Sequence, residues 1–476
     1  MRTHKRNHGE SGVALVIVLL VIVILAVLAA SVMVVTQTET WSATNNRSML
    51  QARYAAEAGA QKTLNYLRYN YVAPANPAAT FDLTKYPAQF NGQDVVLSAM
   101  TGVNANYPDA TVQTAFSNTL KDASVPGVGV PASYEVTAKL LSMQNAATQM
   151  WEITSQGNVP NVRNAQVQVV MRVERSGVPL FNYGIVGLGT TCGDITFTGG
   201  SMDSWDSALG TYAATQQNTG GDIATNGNVT LSGGSTRIHG TISDSSNTNV
   251  GNCPNGITNN VGGTPWGGLQ SVPPLSIPDP PPPSPMTPTT NINANSNTCW
   301  AGAPVGCTVI AGPAVKIAPG TYGDLTSNSN LHLSAGTYNI NSLSLNGGSI
   351  TLDSYPVVIN LGGNGVSSGG TLFTSNSSVT INDGGNPANL MIESAAGSGM
   401  SNPPVITMNS SSAMYAVVYA PNAYVHVTGS SHFLGAAIGK KVTSDSSGGY
   451  SYDLALRNNF MTPAPFYPIL FTWSKF

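Results

Sequence analysis

The N-terminal pattern is dominated by one uninterrupted apolar run. Residues 13–35 contain no charged residue, no Gly and no Pro. A helix of that length spans roughly 35 Å, enough to cross a hydrocarbon core of about 30 Å. Secretory signals have shorter apolar runs and end in a small-residue cleavage site, of which "AASVMVV" (29–35) is a poor version. The pattern predicts a retained membrane span from Val13 through Val23 to Val35.

The helical pattern continues beyond the span. Helix-forming residues dominate from Ser48, and Pro74 and Pro77 then stop the helix. Apolar residues recur at steps of mostly three or four: Leu50, Tyr54, Ala58, Leu64, Leu67 and Tyr71. The sequence therefore predicts one helix over 13–72, with a membrane half and an amphipathic half that packs against a globular head.

The leader, residues 1–12, is basic and contains Arg2, Lys5 and Arg6. Positive residues beside a span stay in the cytoplasm. We therefore expect a single-pass protein of the inner membrane with a cytoplasmic N-terminus and its bulk in the periplasm or outside the cell.

Three strands are predicted in an α/β head over 78–176. They lie at 134–142, 150–158 and 165–175, and the last alternates between apolar and polar residues. Short connections favour an antiparallel meander, and the amphipathic half of the helix would cover its apolar face.

After Ser176 the pattern changes to short apolar runs separated by Gly, Asn and Ser. Gly-Thr-Tyr occurs at 320–322 and 336–338, and Leu331/Leu333 resemble Ile350/Leu352. Short strands at loose intervals predict stacked turns over 177–271 and 291–476, with a right-handed parallel β-helix as first choice and a β-sandwich as alternative. The fold class is thus α+β, with an all-β second part.

The Pro-rich segment 272–290 interrupts this region. Consecutive prolines favour a stiff polyproline II conformation. The segment is predicted either to link two domains or to cross the surface of one solenoid as an insertion. The strand patterns on its two sides are similar, which favours the insertion.

Composition limits the possible functions. Only 9% of residues are charged, against roughly 25% in typical soluble proteins. Residues 1–175 have a net charge of +3 and residues 176–476 a net charge of −6. Nucleic-acid binding needs clustered positive charge, so that class of partner is excluded.

The four cysteines all lie in the second part, at Cys192, Cys253, Cys299 and Cys307. Their spacing fits no standard zinc pattern, so we expect disulfides rather than a metal site. Three pairings are open.

The sequence offers few catalytic candidates. Asp324, Asp353 and Asp383 fall 29 and 30 residues apart and would stack on one face if the turns had that length; we expect surface acids that cap backbone amides. His332, His426 and His432 are scattered and show no acid partner in the sequence; "LHL" and "VHV" place His332 and His426 on the outer strand face, where we expect solvated side chains. No Lys or Arg lies between Lys316 and Lys440. We predict no catalytic, cofactor or metal site.

The N-terminal region resembles that of PilX-type minor pilins of the type IV pilin superfamily. The resemblance covers about residues 9–70, and "GVALVIVLL" (12–20) and "ARYAAEAG" (52–59) are the parts most alike. It implies a pilin-like head and cleavage by prepilin peptidase between Gly12 and Val13. The apolar segment 413–442 is also similar to domains found behind such N-termini.

One position departs from the pilin pattern. Major pilins have a glutamate as the fifth residue after the cut, where this chain has Ile17. The resemblance implies that this carboxylate neutralises a neighbour's terminal amine during assembly. Ile17 therefore argues against ordinary incorporation along a shaft and is compatible with a tip or priming subunit.

These observations predict a non-enzymatic pilus-assembly or minor-pilin protein that displays a β-rich part for adhesion. Its expected partners are other pilin subunits, the lipid bilayer and surface glycans. The alternatives are a membrane-tethered β-helix enzyme acting on carbohydrate and a cell-envelope structural protein unrelated to pili.

Overall fold

The structure is a computed structural model of the 476-residue chain. The chain forms two compact units. We call Met1–Val178 with Thr462–Phe476 the head unit, and Pro179–Met461 the β unit. The structure describes residues 10–74, 77–121, 123–125, 131–144, 147–160, 165–233, 236–245, 257–259, 267–284, 291–295, 298–299, 307–310, 314–363, 366–382, 384–430, 432–445 and 447–475.

The N-terminal helix runs without a break from Glu10 to Tyr69. No Gly or Pro interrupts it between Val13 and Gly59. Its threonines do not break it either, because their hydroxyls donate to the carbonyl four residues earlier, for example Thr38 at 2.8 Å and Thr40 at 2.7 Å. The prediction of one continuous helix is confirmed, and the helix ends three residues before the predicted position 72.

The long strands of the head unit form an antiparallel meander. The predicted strands are confirmed as Ala132–Met143, Gln149–Asn158 and Gln166–Arg175, each paired with the next. The remaining elements are the helices Pro77–Thr80 and Ala110–Leu120 and the short strands Gln89–Phe90, Gln93–Asp94, Val96–Ser98 and Ala123–Val125. Two further short strands, Gly177–Pro179 and Met461–Pro463, lie at the unit boundaries.

The C-terminal strand of the chain belongs to the head unit. Tyr467–Lys475 pairs antiparallel with Gln166–Arg175, with Trp473 opposite Val169. The predicted domain 291–476 is therefore too long, because residues 462–476 leave the β unit. The physical reason is that this apolar segment completes the hydrogen bonds of an otherwise open sheet edge.

The second half of the N-terminal helix covers the meander closely. Ala52, Ala55, Ala56 and Ala60 are fully buried, so this part of the helix presents small side chains to the sheet. Gly157 lies directly beneath, and a Cβ atom there would be 1.9 Å from the Ala52 carbonyl oxygen. The sheet therefore needs Gly at this position to let the two backbones approach.

The β unit is built around one 25-stranded sheet. Its pairings are parallel except for two antiparallel pairs between residues 292 and 317. It also contains the short helices Tyr212–Thr215, Pro387–Asn389 (a 3₁₀ turn) and Leu456–Asn459. The strands are Ile185–Gly187, Ile195–Phe197, Ser201–Trp205, Ile223–Thr225, Val229–Leu231, Arg237–Ile238, Ile242–Asp244, Ile257–Asn259, Leu269–Ser271, Ile292–Asn295, Thr298–Cys299, Cys307–Ile310, Ala314–Ile317, Gly320–Ser327, Asn330–Leu333, Gly336–Leu345, Ser349–Leu352, Val357–Leu361, Thr371–Ser375, Thr380–Ile381, Leu390–Ser394, Val405–Ser410, Met414–Gly429, Phe433–Ser444 and Tyr450–Asp453.

Successive strands stack in parallel at variable spacing. Leu331 pairs with Ile350, as their similar sequences suggested, whereas the two Gly-Thr-Tyr motifs are offset, because Tyr322 pairs with Ile340 rather than Tyr338. The inward residues form one continuous apolar core. The variable spacing means that a fixed sequence period does not define the register.

The stacking order differs from the chain order. Ile195–Phe197 pairs on one side with Val229–Leu231 and on the other with Phe433–Ser444, near the end of the unit. The first strands of the β unit therefore lie inside the stack. Among the described strands, Leu269–Ser271 and Ile292–Asn295 lie at opposite ends of it.

The Pro-rich segment connects these two ends. Its described part, 272–284, bonds in order to Asn226, Tyr419, Asn360 and Asn339, which follow one another along the stack with other strands between some of them. These contacts span six inter-strand spacings, or about 29 Å. Leu275 and Ser284, which make the first and last of these contacts, are nine residues apart, and nine polyproline II steps give roughly 28 Å. The prolines therefore hold an extended strap along a single unit.

Candidate functional site: the exposed apolar helix and sheet edge

The first half of the N-terminal helix exposes apolar side chains on all sides. Val13 is 61% exposed, Leu19 62% and Val35 57%. The structure contains one helix that is long and apolar enough to cross a membrane, and it includes this span. Because apolar surface of this extent is unfavourable in water, the helix is suited to single-pass anchoring in a bilayer.

The helix changes character after the span. Trp41 is 77% exposed, and its amphipathic ring suits a membrane–water interface. Ser48 is the first buried residue of the helix, and packing against the meander begins there. The 12 residues from Thr36 to Arg47 thus separate the apolar half from the head.

A second exposed apolar surface lies on the C-terminal edge strand. Ile469, Phe471 and Trp473 are 43–46% exposed although they belong to a sheet. The Arg53 guanidinium lies 5.0 Å from the Trp473 ring centroid, and a cavity of about 350 Å³ lies between this strand and the helix. Sequence reasoning missed this surface because the tail was assigned to the other unit. The alternation in "YPILFTW" was the available signal.

The predicted processing positions lie at the start of the helix. Gly12 and Val13 follow Glu10, where the helix begins, and Ile17 is 57% exposed one turn later. The side chain at the fifth position after the predicted cut is thus presented on the same surface as the rest of the span.

The acidic candidates do not form one stack. Asp324 accepts a bond from Ser342 at 2.7 Å, whereas Asp353 lies beside a different row of strands. Asp353 accepts from Lys316 Nζ at 2.8 Å and from His332 Nδ1 at 2.7 Å. These bonds, the one from Lys316 first, lower the pKa of Asp353. The predicted amide-capping role was wrong for Asp353, and Asp383 lies outside the described residues.

The prediction that His332 and His426 are simply solvated was wrong. His332 pairs with Asp353, and His426 Nε2 lies 2.8 Å from Asp445 Oδ2. His432 is largely buried against Tyr212, and burial lowers its pKa. The acid partners lie about 20 residues away in sequence, on adjacent turns, so the register had to be known to find them. The described residues contain no group of three metal-binding side chains.

Glu393 is one of the buried acids that were not predicted from the sequence. It is 5% exposed and lies between Asn360 and Tyr419 in the row beneath the strap. Burial raises its pKa to about 7. Its only sequence signal was a single charged residue within the strand "LMIES".

Cys192 is disulfide-bonded. The other three cysteine side chains, at Cys253, Cys299 and Cys307, lie outside the described residues. The pairing among the four therefore stays a prediction.

Comparison with known proteins gives one match, within the β unit. A family model described as a domain of unknown function, DUF7305, matches residues 278–459. The match begins in the strap and ends just before the chain returns to the head unit. No curated protein and no solved structure matches the chain.

Proposed function

We propose that this protein is a minor, pilin-like subunit of a type IV pilus assembly, non-enzymatic and anchored in the inner membrane. The observation that carries the proposal is the continuous helix Glu10–Tyr69, apolar and exposed in its first half and packed on an antiparallel meander in its second. This division of one helix between bilayer and head is what the PilX-type resemblance implies. The basic leader sets the cytoplasmic N-terminus.

The proposed partners are other pilin helices and the bilayer. In a bilayer, helices associate by packing and interhelical contacts rather than by hydrophobic burial. The exposed span offers apolar side chains in every direction for such packing, and Ile17 adds no charge to it. The exposed edge strand Tyr467–Lys475 offers a second contact surface on the head. A subunit with Ile17 in place of the glutamate of major pilins suits a tip or priming position.

We propose that the β unit is a parallel β-helix displayed outside the cytoplasm for adhesion. The successive parallel pairings and the continuous core support this, and they do not fit a β-sandwich, whose sheets are antiparallel. Three described acids of the β unit, Asp222, Asp353 and Asp445, lie in partly exposed pairs with basic side chains. That arrangement favours structural roles over turnover.

Photo-cross-linking in the membrane tests the proposal. A photoreactive residue at Val23, in the centre of the span, is expected to capture a pilin-like subunit in cells that assemble pili. The same residue at Glu135, on a strand of the head away from the bilayer, is the control and should not capture that helix. Capture of lipid alone at Val23 would contradict the pilin-like role and leave a plain anchor.

A further inference from the structure

An aromatic cavity of about 320 Å³ lies on the β unit. Its aromatic lining consists of Trp205, Tyr212 and Tyr415. The Trp205 ring lies 6.1 Å from each of the two tyrosine rings, centroid to centroid, and both contacts are edge-to-face. The glycine-rich turn at 384–386 forms the opposite side. The cavity therefore presents several aromatic surfaces within a small volume.

The loop that forms one wall of the cavity is firmly held. Tyr212 Oη donates to Asp203 Oδ2 at 3.0 Å, and Gln216 Nε2 donates to the same oxygen at 2.6 Å. Asp203 is 3% exposed. Ser207 donates to Asp453 through its amide at 2.9 Å and its hydroxyl at 2.7 Å. Because both anchors are buried acids, the loop is fixed in place before any ligand arrives.

The polar character of the cavity indicates a neutral ligand. None of its nine described lining residues is charged, and the nearby acids Asp203 and Asp453 disfavour an anion. Trp205 is 2% exposed, so its ring supports the two tyrosine rings rather than facing a ligand.

A second cavity adjoins the first. It has a volume of about 310 Å³, shares Gly384 and Gly385 with the first, and is lined by Tyr355. Tyr355 is 65% exposed. Gly384 has a φ of +68°, and a Cβ atom there would meet nothing within 4 Å, so this shared turn leaves space on its outer side. The two cavities suit an extended ligand of several units.

We propose that these adjoining cavities bind a neutral oligosaccharide, with sugar rings packed against Tyr212, Tyr415 and Tyr355. Sugars present apolar C–H faces that pack on aromatic rings and hydroxyls that both donate and accept. The inference deepens the adhesive role of the proposed function, since it names the ligand class of the displayed unit. A proline-rich peptide also packs on aromatic rings, but it offers few donors and acceptors.

A glycan-binding experiment tests this site. The full-length protein in detergent is applied to an array of neutral oligosaccharides of glucose, galactose, mannose and N-acetylglucosamine, with hexagalacturonate and decaproline as competing probes. Binding to at least one neutral hexasaccharide is expected, and calorimetry with that sugar gives Kd. Tyr415→Ala should weaken binding at least 10-fold, which is about 1.4 kcal/mol.

Two further variants separate binding from folding. Tyr355→Ala changes an exposed side chain, so it should keep the fold while weakening hexasaccharide binding several-fold. Tyr69→Ala, equally conservative and 78% exposed on the head unit, should leave Kd unchanged. The proposal is overturned if no neutral glycan binds, if Tyr355→Ala leaves Kd unchanged, or if hexagalacturonate or decaproline binds more tightly. Membrane retention and cross-linking at Val23 do not depend on this site, so its failure would leave the pilin-like role standing.

Discussion

The two units of this protein build their cores in different ways. In the head unit, one helix covers strands that are neighbours both in sequence and in space, from Ala132 to Arg175. In the β unit, most strands pair in parallel with strands one turn away, and the first strands pair near the end of the unit. The local pattern of apolar residues is therefore sufficient to predict the strands of the head. The structure of the β unit depends on the register between segments that are distant in the chain.

Charge is also distributed differently between the two. Both units contain partly exposed ion pairs, such as Arg172–Glu152 in the head and Lys316–Asp353 in the β unit. The β unit also places several acids in buried positions, where they hold loops or lie under the strap, as Asp203, Asp453 and Glu393 do. Among the described residues, buried acids are therefore a feature of the β unit and not of the head.

The largest effect is expected from deleting the apolar span of the N-terminal helix, because the β unit contains no such helix among its described residues. Deletion of residues 13–35 should move the protein from the membrane to the soluble fraction, because no other described helix can anchor it. Val23→Lys should weaken retention sharply, since Lys at the centre of a span costs about 3 kcal/mol. Thr38→Lys, beyond the span, is the control. Normal retention of the deletion variant in membrane fractions would contradict the account.

A second substitution tests the close packing of the head. Gly157→Val should destabilise the meander by about 3 kcal/mol, because its side chain would collide with the Ala52 carbonyl. Hydrogen exchange of peptides from 132–175 measures the effect on this unit. Gln156→Val, on the opposite and exposed face, is the matched control. Equal protection in both variants would show that the helix and the sheet are not in tight contact.

A third prediction concerns the buried acid of the β unit. Because the folded-state pKa of Glu393, about 7, exceeds its ordinary value of 4.5, the folded state binds more protons between these values. Stability should thus fall as pH rises from 5 to 8, by at most about 3 kcal/mol relative to Glu393→Gln. Urea unfolding at the two pH values measures this.

The control for that experiment is Glu39→Gln, which changes an exposed acid of the N-terminal helix. It should follow the wild type at both pH values. A wild type whose stability relative to Glu393→Gln is the same at pH 5 and pH 8 would show that this carboxyl is solvated, contrary to its position beneath the strap.

The smallest effect is expected at the ion pairs of the strand surface. Asp353→Asn should lower stability by less than about 1 kcal/mol at pH 7, because its partners Lys316 and His332 are partly exposed. Since the pKa of Asp353 is lowered, this contribution is lost as pH falls through that pKa. Unfolding at low and high salt measures it. Loss of turnover of an acidic polysaccharide in this variant would favour the enzyme alternative.

Sequence patterns were sufficient where neighbouring residues decide the structure. The helix and the three meander strands followed from apolar periodicity and from Pro74. The C-terminal strand was misassigned because "YPILFTW" reads as a strand but does not say which sheet edge it joins. The pairing of His332 with Asp353 depends on a turn length that varies along the stack. The aromatic cavity combines Trp205 with Tyr415, which are 210 residues apart in the chain, so no local pattern could bring them together.

The mature N-terminus of the native protein tests the central claim most directly, because a pilin-like subunit and a plain anchor differ there. Mass spectrometry of the protein purified from membranes should find a chain that begins at Val13, with the 12-residue leader removed and the whole apolar span retained. A chain that begins at Met1, or one that begins beyond Val35, would contradict the account.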